Sequence, residues 1–169
     1  MSTALQPTSA VPPAAPARLL GSEVRRRAAA AAALSLGAAW VHLAYAAPHL
    51  RQWWAYGAFF VATGVGQALF APLILRRPTR GWLLAVAVAG NGAIIAMYVV
   101  SRTYGPPLGP HARVPEPAGP VDLATTAAEV CLVGVLLTLM APRARRHTAN
   151  LLVALAVLVW ALRLSGRLP

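Results

Sequence analysis

The chain has 169 residues, of which 58% are hydrophobic and only 11% charged, with a mean hydropathy of +0.60. A soluble domain carries roughly 25% charged residues, so composition places this chain in the membrane class, as a single all-α domain. The net charge of +11 and pI near 11.7 do not point to nucleic acid: all 15 Lys+Arg positions are arginine, and most stand in short clusters beside hydrophobic runs, as topology signals and anionic-lipid contacts do.

Arginine without lysine, with abundant Ala, Gly and Pro, also suggests a GC-rich genome. Cys131 is alone inside an apolar run, which excludes an intramolecular disulfide and a cysteine-pair metal site. Its simplest role is that of a small buried hydrophobe.

Residues 1–24 hold Pro7, Pro12, Pro13 and Pro16 among Ala, Ser and Thr with no helical period, and are expected to be a disordered cytoplasmic tail. The remainder, 25–169, is expected to be a five-helix transmembrane domain. Arg25, Arg26 and Arg27 abut the first apolar run, 28–47, which is about long enough to span. A signal peptide is the rival reading, because Ala44-Tyr45-Ala46 mimics a cleavage site. The leader would be unusually long and would carry His42 near the end of its apolar run, which favours a retained span.

The later spans are expected at 54–75, 82–101, 121–141 and 149–164. The last is the shortest, and Arg163 and Arg167 extend it by snorkelling outward. Pro48, Pro78, Pro120 and Pro142 punctuate the runs, while Pro72 lies inside the second and is expected to kink it.

Arginine placement fixes the expected orientation. With the N-terminus in the cytoplasm, the inner segments hold Arg18, Arg25, Arg26, Arg27, Arg76, Arg77, Arg80, Arg143, Arg145 and Arg146. The outer ones hold Arg51, Arg102, Arg113, Arg163 and Arg167. The positive-inside rule selects this arrangement and puts the C-terminus outside. Trp53 and Trp54 then anchor the outer interface and Trp82 the inner one. The outer segment Pro48 to Trp53 makes a tight hairpin. The longer one, Ser101 to Pro120, is rich in Pro and Gly, hence stiff and extended, and fit to fold back as a lid.

Polar residues within the spans recur at helical spacing. Ser35, His42 and His49, with Tyr45 beside them, form one stripe; Tyr56, Thr63 and Gln67 a second; Asn91, Tyr98 and Arg102 a third; Asp122, Thr125, Thr126 and Glu129 a fourth. A charge at the bilayer centre costs about 2.5–3.5 kcal/mol on insertion scales. The four stripes are therefore expected to face one another in a four-helix bundle with a polar interior. Leu151 to Leu162 is apolar apart from the indole of Trp160, so the fifth helix is expected at the periphery. At about 1.5 Å per residue, the strongly polar groups concentrate in the outer half, which predicts a pocket open to the extracytoplasmic side.

The strings His42-Leu43, Pro48-His49, Trp53 to Phe60, Gly66-Gln67, Gly90-Asn91, Tyr98, Ser101-Arg102-Thr103, Gly105-Pro106, Gly109-Pro110, Glu116, Asp122 and Glu129 resemble a pattern in uncharacterised small multi-spanning membrane proteins of actinobacterial type. The likeness covers about residues 40 to 140. It implies the multi-spanning fold and no particular activity. An acidic residue often stands in that pattern where this chain has Gln52, so no role of that acid carries over.

Glu129, Arg102, Asn91, Tyr98, Gln67 and Asp122 are the candidate ligand-binding or ion-pair residues. A buried Glu129 binds a cation, relays a proton or holds an amine; alternatively it pairs with Arg102, or is a neutral acid bonded to Thr125 or Asn91. Asn91, between Gly90 and Gly92, also reads as packing glue on a small surface continued by Ala85, Ala89 and Ala93. His42, His49, His111 and Glu116, with Asp122 and Glu129, are residue types that hold copper, zinc or iron, so a transition metal ion is the candidate cofactor. They come from separate segments without a local metal motif. A second well-buried histidine for haem is missing, and His147 lies on the opposite side.

No P-loop, dinucleotide fingerprint, zincin motif or nucleophile elbow is present, so no residue is assigned to catalysis. The expectation is a non-enzymatic binding protein in the lipid bilayer, as an accessory subunit, a homo-oligomer or part of a larger membrane complex. The alternatives are a small transporter or proton-coupled exchanger, which needs a polar path to the cytoplasm, and a structural subunit that docks through its fifth helix.

Overall fold

Apolar runs separated by proline-bearing turns become five helices. The computed structural model describes residues 15–165, with the side chains of 21–161 and of Ser165. The helices are α1 (Ala15–Gln52), α2 (Trp54–Arg76), α3 (Gly81–Thr103), α4 (Pro120–Leu139) and α5 (Pro142–Leu164); no strand occurs among the described residues. α1 from Gly21, α2, α3 and α4 are long and apolar enough to cross a membrane. α5 does not meet that measure among the described residues, since its first turns carry Arg143, Arg145, Arg146 and His147.

The expected tail needs correction. α1 begins at Ala15, well inside the stretch 1–24 that composition marked as disordered. Glu23 explains part of this: it pairs with Arg26, and Arg27 Nε donates to its Oε1 at 2.8 Å, links at three- and four-residue spacing that favour helix. Pro16 falls in the first turn, where its missing N–H costs no helical bond. The rest of that expectation, 1–14, lies outside the described residues, as do Arg167 and the side chain of Arg163.

Pro48, expected to punctuate the first run, does not end α1 but lies within it, and Pro72 lies inside α2 as expected. The α1–α2 hairpin is a single extended residue, Trp53, with φ −165° and ψ 137°. Its N–H donates to His49 O at 3.0 Å, and its carbonyl accepts from Tyr56 N at 3.1 Å, so the turn loses little backbone bonding.

The sequence brings α1 and α2 unusually close. Ala28, Ala32, Ser35, Ala39, His42 and Ala46 are buried at alternating steps of four and three, a heptad seam made of small residues. α2 answers with Gly57, Gly64, Gln67, Ala71 and Ile74. A Cβ on Gly57 would lie 2.7 Å from Leu50 Cα, and one on Gly64 would lie 2.6 Å from Leu43 Cγ and 3.1 Å from Ala39 O. Only glycine permits that approach, and close approach is what holds helices together where lipid supplies no hydrophobic drive.

In space the order is α2–α1–α4–α3; the backbones of α2 and α3, though consecutive, stay apart and the two helices are joined by side chains, Gln67 to Asn91 among them, while α5 packs on α4. The bundle is thus a ring whose α2–α3 side is closed by side chains, with α5 outside it. At the end where α1 enters and α4 leaves, Arg27 Nη1 donates to Thr138 O at 3.4 Å. The core fills this half: Ala28, Ala31 and Ala32 of α1 meet Phe70, Ala71 and Ile74 of α2, Leu83, Leu84, Ala87 and Val88 of α3, and Leu132, Leu136 and Leu139 of α4. Above this apolar plug the interior becomes polar, and above that it opens.

Candidate functional site

Each of the first four helices contributes to a polar layer at mid-depth. Ser35, His42, Gln67, Asn91 and Glu129 are the buried polar side chains among the described residues, and Glu129 is only 1% exposed. Lipid would leave such groups without partners, so they turn inward and bond to one another. His42 Nε2 lies 2.9 Å from Glu129 Oε1. Gln67 Nε2 donates to the same oxygen at 3.3 Å and to Asn91 Oδ1 at 3.2 Å. Asn91 Nδ2 donates to Ala87 O at 2.8 Å, and the Ser35 hydroxyl donates to Gln67 O at 2.8 Å. His42 Nδ1 and Gln67 Oε1 are buried without a partner.

Resting on this layer is a cavity of about 270 Å³, just below the roughly 300–1,000 Å³ common for ligand pockets. His42 and Glu129 form its floor. Tyr45, Trp53, Tyr56, Phe59, Phe60 and Tyr98 supply aromatic walls, and Ile94 and Met97 of α3 complete them. Phe60 is fixed by its neighbours: His49 stacks on it with centroids 3.8 Å apart, and His42 meets it edge-on at 5.5 Å.

The roof is the proline-rich loop. Pro106, Pro107 and Leu108 line the cavity, and the Tyr56 hydroxyl donates to Leu108 O at 2.7 Å. Gly109, at φ +95°, packs so tightly that a Cβ there would stand 2.6 Å from Trp53 Cε3. At the rim, Arg102 bridges loop and helices: Nη1 donates to Glu116 Oε2 at 2.5 Å and Nη2 to Asp122 Oδ2 at 2.8 Å. The guanidinium also lies 5.2 Å from the Tyr98 ring centroid. Asp122 Oδ2 accepts from Gly119 N at 3.1 Å as well, which caps α4 beside Pro120.

Of the ligand-binding candidates, Glu129, Arg102, Tyr98 and Asp122 line the cavity, whereas Gln67 and Asn91 lie beneath it and reach it through Glu129. Arg102 takes Glu116 and Asp122, and Glu129 takes His42 instead of Arg102. His42, His49 and Glu116 border the cavity, but His111 is exposed on the loop away from it. Among the described residues no three His, Cys, Asp or Glu side chains are grouped to hold a metal ion. The polar stripes did not reveal the aromatic wall, although Trp53, Tyr56 and Phe60 at helical spacing carried its signal. Comparison with protein-family models, with curated proteins and with solved structures finds no match.

Proposed function

We propose that this chain is a non-enzymatic integral membrane protein that binds a small ligand in the cavity above Glu129. Its N-terminus lies in the cytoplasm and its cavity faces the extracytoplasmic side. α5 is a fifth, peripheral span, whose exposed Leu151, Val153, Leu155, Val157 and Trp160 meet lipid or a partner subunit. The arginine clusters at the plugged end support the orientation.

One observation carries the reading. A carboxyl group that is 1% exposed forms part of the floor of a cavity with aromatic walls, a folded roof and an apolar plug below. A merely structural carboxyl is better placed in a packed interior, since a void beside it forfeits dispersion contacts. Native purification followed by mass spectrometry and elemental analysis tests the proposal, with a Thr126→Phe variant that fills the cavity from α4. A stoichiometric small molecule in the wild type, absent from the folded variant, is the expected result. Equal occupancy of the two proteins, or a stoichiometric transition metal in place of an organic ligand, would overturn it.

A further inference from the structure

We infer that the ligand is a protonated hydrophobic amine, held by Glu129 through its N–H groups; this deepens the binding reading and rests on it. The hydrogen-bond inventory of the floor is the first argument. Both bonds to the Glu129 carboxyl land on Oε1, and none among the described residues reaches Oε2. Nε2 is the ring nitrogen at that carboxyl, so His42 Nδ1 is left over, buried without a partner; it accepts where Nε2 carries the ring proton. Gln67, beneath the floor, spends its amide N–H groups on Glu129 and Asn91 and offers the cavity none. The Glu129 Oε2 left open on the floor is an acceptor that a ligand bringing donors would satisfy.

Charge gives the second argument. The chain carries +11 overall and has only 4 Asp+Glu, yet Glu116, Asp122 and Glu129 all border this one cavity. Against these three carboxyl groups stands a single arginine, Arg102, so carboxyl groups outnumber guanidinium groups three to one in the lining. Arg102 has both terminal nitrogens engaged by Glu116 and Asp122, and its Nε, buried without a partner, leaves a single N–H, which does not make the paired donor fork of an anion site. Inside a low-dielectric wall such an imbalance favours a cation more strongly than it would in water.

The walls define the rest of the molecule. Phe59, Phe60, Tyr45, Tyr56 and Trp53 offer ring surface for an apolar body, and their faces attract a cation that lies above them. The cavity volume of about 270 Å³ limits that body to a single ring or a short alkyl chain.

The test uses the full chain in lipid nanodiscs near neutral pH and three probes of one shape: 2-phenylethylamine, 2-phenylethanol and 3-phenylpropionate. Empty nanodiscs correct for partition into lipid. Saturable amine binding is expected, at least about tenfold tighter than the alcohol, as a charge-assisted hydrogen bond implies, with no saturable binding of the acid. Glu129→Gln is expected to bring the amine down to the level of the alcohol and leave the alcohol unchanged. The Glu129→Asp variant, which withdraws the carboxylate by one methylene, serves if the amide does not fold. Equal binding of amine and alcohol, tight binding of the acid, or no saturable binding of any probe would each overturn the inference. The occupancy of natively purified protein then reports separately whether the cavity binds some other class of ligand.

Discussion

The pairing of His42 with Glu129 makes a strong energetic prediction. Replace His42 by leucine, and Glu129 at 1% exposure keeps only the long 3.3 Å bond from Gln67. Removing one partner of a buried pair costs about 3–5 kcal/mol. The remaining Gln67 bond puts this case near the lower end, about 3 kcal/mol. Replace Glu129 by leucine instead, and two donors, on His42 and Gln67, lose their shared acceptor. At about 1–3 kcal/mol for each unsatisfied group, that variant also loses about 3 kcal/mol. The double variant removes the pair while keeping the volume filled, and leaves one unsatisfied Gln67 bond. At about 1–3 kcal/mol for that one group, its loss should stay well below the roughly 6 kcal/mol that additivity requires, for a coupling of at least about 3 kcal/mol. Unfolding of the four proteins in detergent micelles, followed by far-ultraviolet circular dichroism, measures this cycle. Additivity within about 0.5 kcal/mol would refute the pairing and, with it, the hydrogen-bond scheme of the floor.

Two further substitutions probe the frame around the cavity. Gly64→Ala forces a methyl to within 2.6 Å of Leu43 Cγ, so it should cost about 1–3 kcal/mol by overpacking. Adding Leu43→Ala removes the nearest clash and should recover most of that loss in the same unfolding assay. Gly109→Val combines an unfavourable φ of +95° with a clash against Trp53 and Tyr56, and should lift the roof while leaving the bundle folded. In a Cys131→Ser background, a Thr126→Cys thiol should then react several-fold faster with an impermeant maleimide added from the extracytoplasmic side. An unchanged rate would mean that the loop does not control access.

The sequence displayed four helices long and apolar enough to span, and their inward faces, because both follow from one constraint, the hydrocarbon's intolerance of unpaired polar groups. Ser35, His42, Gln67, Asn91 and Glu129 were legible as stripe members, and all five are buried. Which of them touch was not legible. A stripe gives the face of a helix but not its neighbour, and the choice of His42 over Arg102 as partner of Glu129 depends on α4 lying beside α1. Tyr45 shows the same limit: it sits beside a stripe, yet it is 41% exposed at the edge of the cavity. The start of α1 escaped because proline and alanine content resembles a disordered tail, while the arginine pairs of Glu23 act only once the turn exists. His111 escaped because loop geometry, which carries it away from the cavity, leaves no periodic trace.

The distribution of packing also bears on transport, the rival use of such an interior. A carrier must expose its site in turn to both ends of the bundle, and here the arginine-bearing end is filled by Ala31, Ile74, Leu84, Leu132 and Leu136, each fully buried. No polar side chain is buried among them to receive a charge leaving Glu129. A cation moved in that direction would lose its carboxylate and gain only hydrocarbon, where a charge costs about 2.5–3.5 kcal/mol or more. Exchange at the cavity end leaves that plug in place. For the proposed cavity, filling and emptying on one side of the polar layer is therefore the use that this packing opposes least.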